Sequence, residues 1–144
     1  MNDKCSPGTG RFFEVMARVL DIEFEQLAEK ALKSNKPCSI SKQCSVFAES
    51  EVISLVNNSV PLCDITAGIH ESIARRIHGM AFKVGVEAEV ALTGGCSGNK
   101  ALRKALEKRL KSKLAELLLN PQLMGALGAA LFAKEHYLEE AAAH

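Results

Sequence analysis

The residues able to do chemistry in this chain fall into two groups. Five cysteines stand at 5, 38, 44, 63 and 96 with no CxxC pair among them, and glycines cluster at Gly8-Thr9-Gly10 and Thr93-Gly94-Gly95. Cys5 and Cys44 sit in polar or glycine-rich loops just ahead of expected helices. A helix N-terminus lowers a thiol's pKa and favours the thiolate, the form that binds metals and clusters. Without a CxxC pair nothing supports a self-contained four-cysteine zinc or iron–sulfur site, so spacing alone leaves metal binding the minority reading. Cys38 shares the loop of Cys44 and is a spare candidate; Cys63 and Cys96 lie beside apolar segments and read as buried small hydrophobes. Gly8-Thr9-Gly10 ahead of a helix leaves backbone N–H groups free where the helix dipole favours an anion such as phosphate. An ordinary tight turn would look the same. Thr93-Gly94-Gly95 at the end of a strand either admits a close ligand or simply turns the chain.

Helices must position these groups. Phe12, Phe13, Val15, Met16, Val19 and Leu20 recur at helical spacing after Gly10, and Leu27, Ala28, Ala31 and Leu32 continue in a second short helix. Residues 38–44 read as extended or loop, and a third helix runs from Val46 to the turn at Asn57-Asn58-Ser59-Val60-Pro61. Ile65, Ile69, Ile73, Ile77, Met80 and Val84 define a long amphipathic helix, with Asp64 expected as N-cap and Gly85 as the glycine closing it. The period then changes. Residues 89–93 and 114–119 read as short strands, expected to lie parallel around Val90 and Leu117, with a helix over 101–110 between them and a last helix over 125–138. Gly125-Ala126-Leu127-Gly128-Ala129-Ala130 would give that last helix a smooth face for close packing. The fold class is α/β, helix-rich with a small parallel sheet. Residues 1–60 form a helical part, 61–138 an α/β part, and 139–144 a tail of low information.

Other polar residues read as bland. His70 and His78 fall on the polar edge of the long helix, Glu49 and Glu51 complement a helix dipole, and Arg75-Arg76 and the run from Arg103 to Lys113 are solvated faces. With 18 Lys and Arg against 17 Asp and Glu, the formal charge is +1, which argues against bulk electrostatic binding of nucleic acid. An odd cysteine count with no signal peptide favours a reducing, cytoplasmic setting, and the apolar stretch Leu123–Ala133 is too short to span a bilayer.

The motifs together resemble one family. Asn2-Asp3-Lys4-Cys5-Ser6-Pro7-Gly8-Thr9-Gly10-Arg11-Phe12, Cys44-Ser45-Val46-Phe47-Ala48-Glu49-Ser50-Glu51-Val52, Gly68-Ile69-His70, Thr93-Gly94-Gly95 with Asn99, and Asn120-Pro121-Gln122 leading to Gly125–Ala130 occur in the order found in ATP-dependent activators of 2-hydroxyacyl-CoA dehydratases. These are related to the ATPase subunits of benzoyl-CoA reductase. The resemblance implies part of an actin-like, ribonuclease H-like ATPase domain. It implies a homodimer bridged by one [4Fe-4S] cluster with Cys5 and Cys44 from each subunit as ligands, symmetry supplying the missing pair. It also implies ATP with Mg, with Gly8, Thr9 and Gly10 near the phosphates and Thr93, Gly94 and Gly95 on the adenosine side. The partners implied are a 2-hydroxyacyl-CoA dehydratase or related reductase and an electron donor such as ferredoxin or flavodoxin, with no nucleic acid and no membrane. The family's N-terminal half with its first phosphate loop has no counterpart, so the sequence reads as a C-terminal portion that binds ATP weakly, if at all, and does not turn it over. The alternatives are a piece of a sugar or N-acetylglucosamine kinase-like phosphotransferase and a cofactor-free interaction module.

Overall fold

The computed structural model describes residues 9–41, 45–87 and 89–142. Six α-helices follow in chain order: α1 (Thr9–Val19), α2 (Phe24–Leu32), α3 (Ser45–Asn57), α4 (Leu62–Val84), α5 (Lys100–Leu110) and α6 (Met124–Ala142). Short 3₁₀ turns at Gly95–Gly98 and Pro121–Leu123 introduce α5 and α6. α4, 23 residues and so about 35 Å long, is the axis of the packing, with α2, α3 and α5 laid against it. Its apolar face supplies Ile65, Ile69 and Ile73 to a core that also takes Phe12, Phe13 and Met16 from α1, Leu27 from α2, Val52 from α3 and Leu102 and Leu106 from α5. Helical periodicity in the sequence located the buried faces of α1, α2, α4 and α5, because each stripe is covered by its neighbours.

The expected sheet is reduced to one pairing. Ala91 and Ala115 form a single parallel bridge, with the Ala115 N–H donating to the Val90 carbonyl at 2.8 Å. The direction matches the expectation, but the contact lies at Ala115 rather than Leu117, and Leu118 and Leu119 stand exposed. No longer strand occurs among the described residues. Two short segments cannot hold an extended ladder by themselves, since isolated strand pairs are marginal without a further strand or a covered face.

Two helix termini also differ from the reading. α4 begins at Leu62 with Pro61 as its N-cap residue, so Asp64 lies inside the first turn. Its carboxylate accepts from Ser34 Oγ at 2.6 Å, and its carbonyl accepts from the Cys38 N–H at 3.0 Å. Asp64 therefore fastens the α2–α3 loop to α4 rather than capping the helix. Gly85 closes α4 as expected. α6 continues through residues 139–142, and among the described residues no heavy atom lies within 4 Å of a Cβ built on Gly125 or Gly128 on its smooth face. Leu127, Leu131, Phe132, Tyr137 and Leu138 along it are exposed. Among the described residues no helix is long and apolar enough to cross a membrane.

Candidate functional site

The two glycine motifs, more than eighty residues apart in sequence, meet at one cavity of about 490 Å³. Thr9 and Gly10, the first two residues of α1, line it together with Thr93 and Gly95, and Phe24, Ile77, Leu92 and Leu102 provide an apolar wall. α1 has no acidic residue in its first turn, so the positive end of its helix dipole faces the cavity without a carboxylate of that turn beside it. A ligand with an anionic end and an apolar, flat body suits such a space, whose volume falls within the range of small-molecule sites. Glu14 also borders it, its carboxylate held by Arg11 at 2.6 Å.

Gly94 has the backbone geometry the turn needs. Its φ of 89° and ψ of −176° lie where side chains are excluded. Its N–H donates to the Pro121 carbonyl at 3.0 Å, and its carbonyl accepts from both the N–H of Ser97, at 3.1 Å, and its Oγ, at 2.6 Å. The turn is thereby fixed to the 3₁₀ turn before α6 on one side and to the 3₁₀ turn before α5 on the other.

Behind this turn lies a chain of polar contacts through His70 and Asn99. His70 was expected on a polar helix edge, yet it is 1% exposed, its ring 4.8 Å from that of Phe13. Its Nδ1–H donates to the Thr66 carbonyl at 2.7 Å, and Nε2 accepts from the Asn99 side-chain amide at 3.0 Å. Asn99 Oδ1 in turn accepts from the Leu102 N–H at 2.9 Å, capping α5. Nδ1 can only donate to a carbonyl, which leaves Nε2 as acceptor and fixes the neutral tautomer. The Asn99 amide is then oriented with its NH₂ on His70 and its oxygen on the helix. The signal in the sequence was Asn99 directly before a helix. What His70 does required the fold. Asn99→Ala should cost about 1 kcal/mol for the lost cap and about 1 kcal/mol more for the unpaired Nε2, whereas Asn99→Asp keeps the cap. Urea unfolding of both variants measures the difference, and equal destabilisation by the two would contradict the capping role.

Of the remaining candidates, Cys96 also lines the cavity, and the others that are described lie elsewhere. Cys5, Gly8 and Cys44 lie outside the described residues, although α1 starts four residues after Cys5 and α3 at the residue after Cys44. α1 and α3 pack together. Cys38 and Cys96 are half-buried against the core, and burial pushes both thiols up, as expected of packing residues rather than reactive ones. Cys63 is also half-buried, with its thiol donating to Asp64 Oδ1. His78 stacks on Phe82, and Glu51 accepts from Ser41 N–H and Oγ, tying the loop ahead of α3 to that helix. No group of three metal-ligating side chains converges among the described residues.

The N-terminus of α1 and the Thr93–Gly95 turn thus line one cavity of a helix-rich fold. Residues 1–133 match the BadF/BadG/BcrA/BcrD ATPase family. The chain is 49% identical over 135 residues to the (R)-2-hydroxyglutaryl-CoA dehydratase activating ATPase of Acidaminococcus fermentans, covering 92% of this chain and 51% of that protein. It is 47% identical over 135 residues to the activator of lactoyl-CoA dehydratase of Anaerotignum propionicum, covering 94% and 52%. The solved structure of the activator of the 2-hydroxyisocaproyl-CoA dehydratase from Clostridium difficile, with bound ADPNP, superposes with a TM-score of 0.86 at 38% identity, covering 99% of this chain and 53% of that one. The chain belongs to the BadF/BadG/BcrA/BcrD ATPase family, and it spans about half the length of the relatives it matches.

Proposed function

We propose that this chain is the C-terminal portion of an ATP-dependent activator that delivers a low-potential electron to a 2-hydroxyacyl-CoA dehydratase or a related reductase. The observation that carries the reading is the shared cavity, in which the N-terminus of α1 and the Thr93–Gly95 turn face each other. In this reading the phosphates of ATP take the backbone N–H groups at Gly8, Thr9 and Gly10, while Thr93, Gly94 and Gly95 lie along the adenosine. The apolar wall of Phe24, Ile77 and Leu92 then removes water from the base and ribose. Gly94, anchored to Pro121 and Ser97, keeps the turn in place without ligand, so little ordering cost remains for binding.

The cysteine pair belongs to the same reading. In sequence, Cys5 stands four residues before α1 and Cys44 directly before α3, the kind of position where a helix dipole favours the thiolate. The thiol chemistry fits a cluster, and two such thiolates from each of two subunits complete the four that a [4Fe-4S] centre takes. When bound, the cluster supplies one-electron transfer at low potential. The part of the protein is to hold the thiolates deprotonated and to join their helices to the packing around α1, whose first turn is also the phosphate end of the cavity. An electron donor such as a ferredoxin or flavodoxin completes the scheme.

Anaerobic reconstitution with iron and sulfide tests it. The expected result is about four iron per two chains in a dimer, absent from Cys5→Ser and Cys44→Ser and retained in Cys63→Ser and Cys96→Ser. A monomer holding a complete cluster, or a Cys5→Ser variant that keeps it, would overturn the bridged arrangement.

A further inference from the structure

We infer that the lysine face of α5 is the docking surface for a small acidic electron-carrier protein. The near-neutral charge of the chain conceals a strong segregation. Seven of its 18 Lys and Arg lie between Lys100 and Lys113, where Glu107 is the one acid, so this segment carries +6 and the remaining residues −5. On α5, Lys100, Lys104 and Lys108 follow at intervals of four, which puts them on one face over about 12 Å, and Lys111 is the left-handed residue that closes the helix. Ala101, Leu102, Ala105 and Leu106 point the other way, into the core, so packing fixes the stripe outward. All four lysines are exposed. Lys108 stands 3.7 Å from Glu71, which Arg109 already holds at 2.8 Å, and Lys113 reaches Glu107 at 3.4 Å. Among the described residues no carboxylate lies within ion-pair distance of Lys100, Lys104 or Lys111. The C-terminal part of the stripe also borders a shallow depression of about 350 Å³ lined by Lys104, Glu107, Lys108, Lys111, Ser112 and Lys113.

The composition of the face selects the partner. Between Lys100 and Lys113 no large apolar side chain is exposed, whereas stable interfaces are anchored by buried aromatic or aliphatic groups. Charge without such anchors raises the association rate and gives little lifetime, the pattern of small, transient redox encounters rather than of a lasting complex. An acidic carrier that docks, gives up an electron and leaves fits this surface. The inference rests on the electron-transfer reading above, but its test does not depend on the cluster.

Binding of a flavodoxin with strongly negative net charge to the metal-free chain is the measurement, by calorimetry at about 20 and about 200 mM NaCl. Affinity should fall at least about tenfold between the two salts as the screening length contracts. Lys100→Glu/Lys104→Glu should weaken low-salt binding by about tenfold or more with an unchanged melting profile, while Lys33→Glu/Lys83→Glu, the same charge change elsewhere, should leave most of the affinity. No binding at low salt, equal weakening by both double variants, or tighter binding of a 20-mer DNA than of flavodoxin would each overturn the inference. Loss of the cluster reading would appear separately, as missing iron in chains that still bind the carrier.

Discussion

Gly68→Ala should destabilise the chain by about 3 kcal/mol, the upper end of the usual range for overpacking, because the added methyl has no free space to enter. A Cβ at this position would run into the Cys38 carbonyl oxygen and stand 2.7 Å from the Cys38 Sγ and 3.2 Å from its carbonyl carbon. The side chain could rotate away, but the backbone is pinned. Cys38 N–H is bonded to the Asp64 carbonyl, Asp64 to Ser34, and Ser41 to Glu51, so residues 34–41 are fastened to α4 and α3 on both sides of the contact. Relief therefore needs either a shift of α4, which carries much of the core, or release of those bonds. Gly79→Ala on the same helix is the control: among the described residues nothing lies within 4 Å, and removing a helical glycine should stabilise by about 0.5–1 kcal/mol. Opposite shifts of the urea midpoint are expected, and a Gly68→Ala midpoint equal to that of the parent chain would refute the close approach.

The second large effect is a loss of stability in mild acid that depends on His70. Burial lowers the pKa of this imidazole below its ordinary value near 6.5, with the bonds to Thr66 and Asn99 offsetting part of that shift. The geometry gives the same direction. A proton on Nε2 would face the NH₂ of Asn99, and rotating that amide to accept it would take the oxygen away from the Leu102 N–H. Since the folded-state pKa lies below the unfolded one, the unfolded chain binds more protons between them. The stabilisation is fully present above about pH 6.5 and is lost as the pH falls through the folded pKa, with a limiting slope of about 1.4 kcal/mol per pH unit for one proton. His70→Phe keeps the ring contact with Phe13 but leaves the Asn99 amide without its acceptor, which should cost about 1–3 kcal/mol at neutral pH and flatten the acid dependence. Urea unfolding at pH 7.5, 6.5 and 5.5 compares the two, and parallel pH profiles would refute the assignment to His70. The Gly68-Ile69-His70 motif thus has a division of labour: Gly68 admits the cysteine-bearing loop and His70 secures the turn of the cavity.

Both predictions concern one helix whose place in the sequence was plain and whose partners were not. The apolar period of α4, the stripes of α1, α2 and α5, the glycine closing α4 and the motifs around Gly8–Gly10 and Thr93–Gly95 were all legible, because each depends on residues within a few turns of each other. Burial of His70 was not, since its neighbours Phe13 and Asn99 lie 57 positions before and 29 after it, and a histidine on an edge looks the same in sequence as one in the core. Asp64 was misread for a related reason. A carboxylate near a helix start serves equally as a cap or as a clasp, and only the position of Ser34 made it a clasp. The shortening of the sheet to the Ala91–Ala115 bridge, and the exposure of Leu118, Leu119 and the apolar side chains of α6, depend on what lies beside those segments. Local pattern fixes which face of an element is apolar. Whether that face is covered, and what meets it, is a property of the packing and is decided in three dimensions.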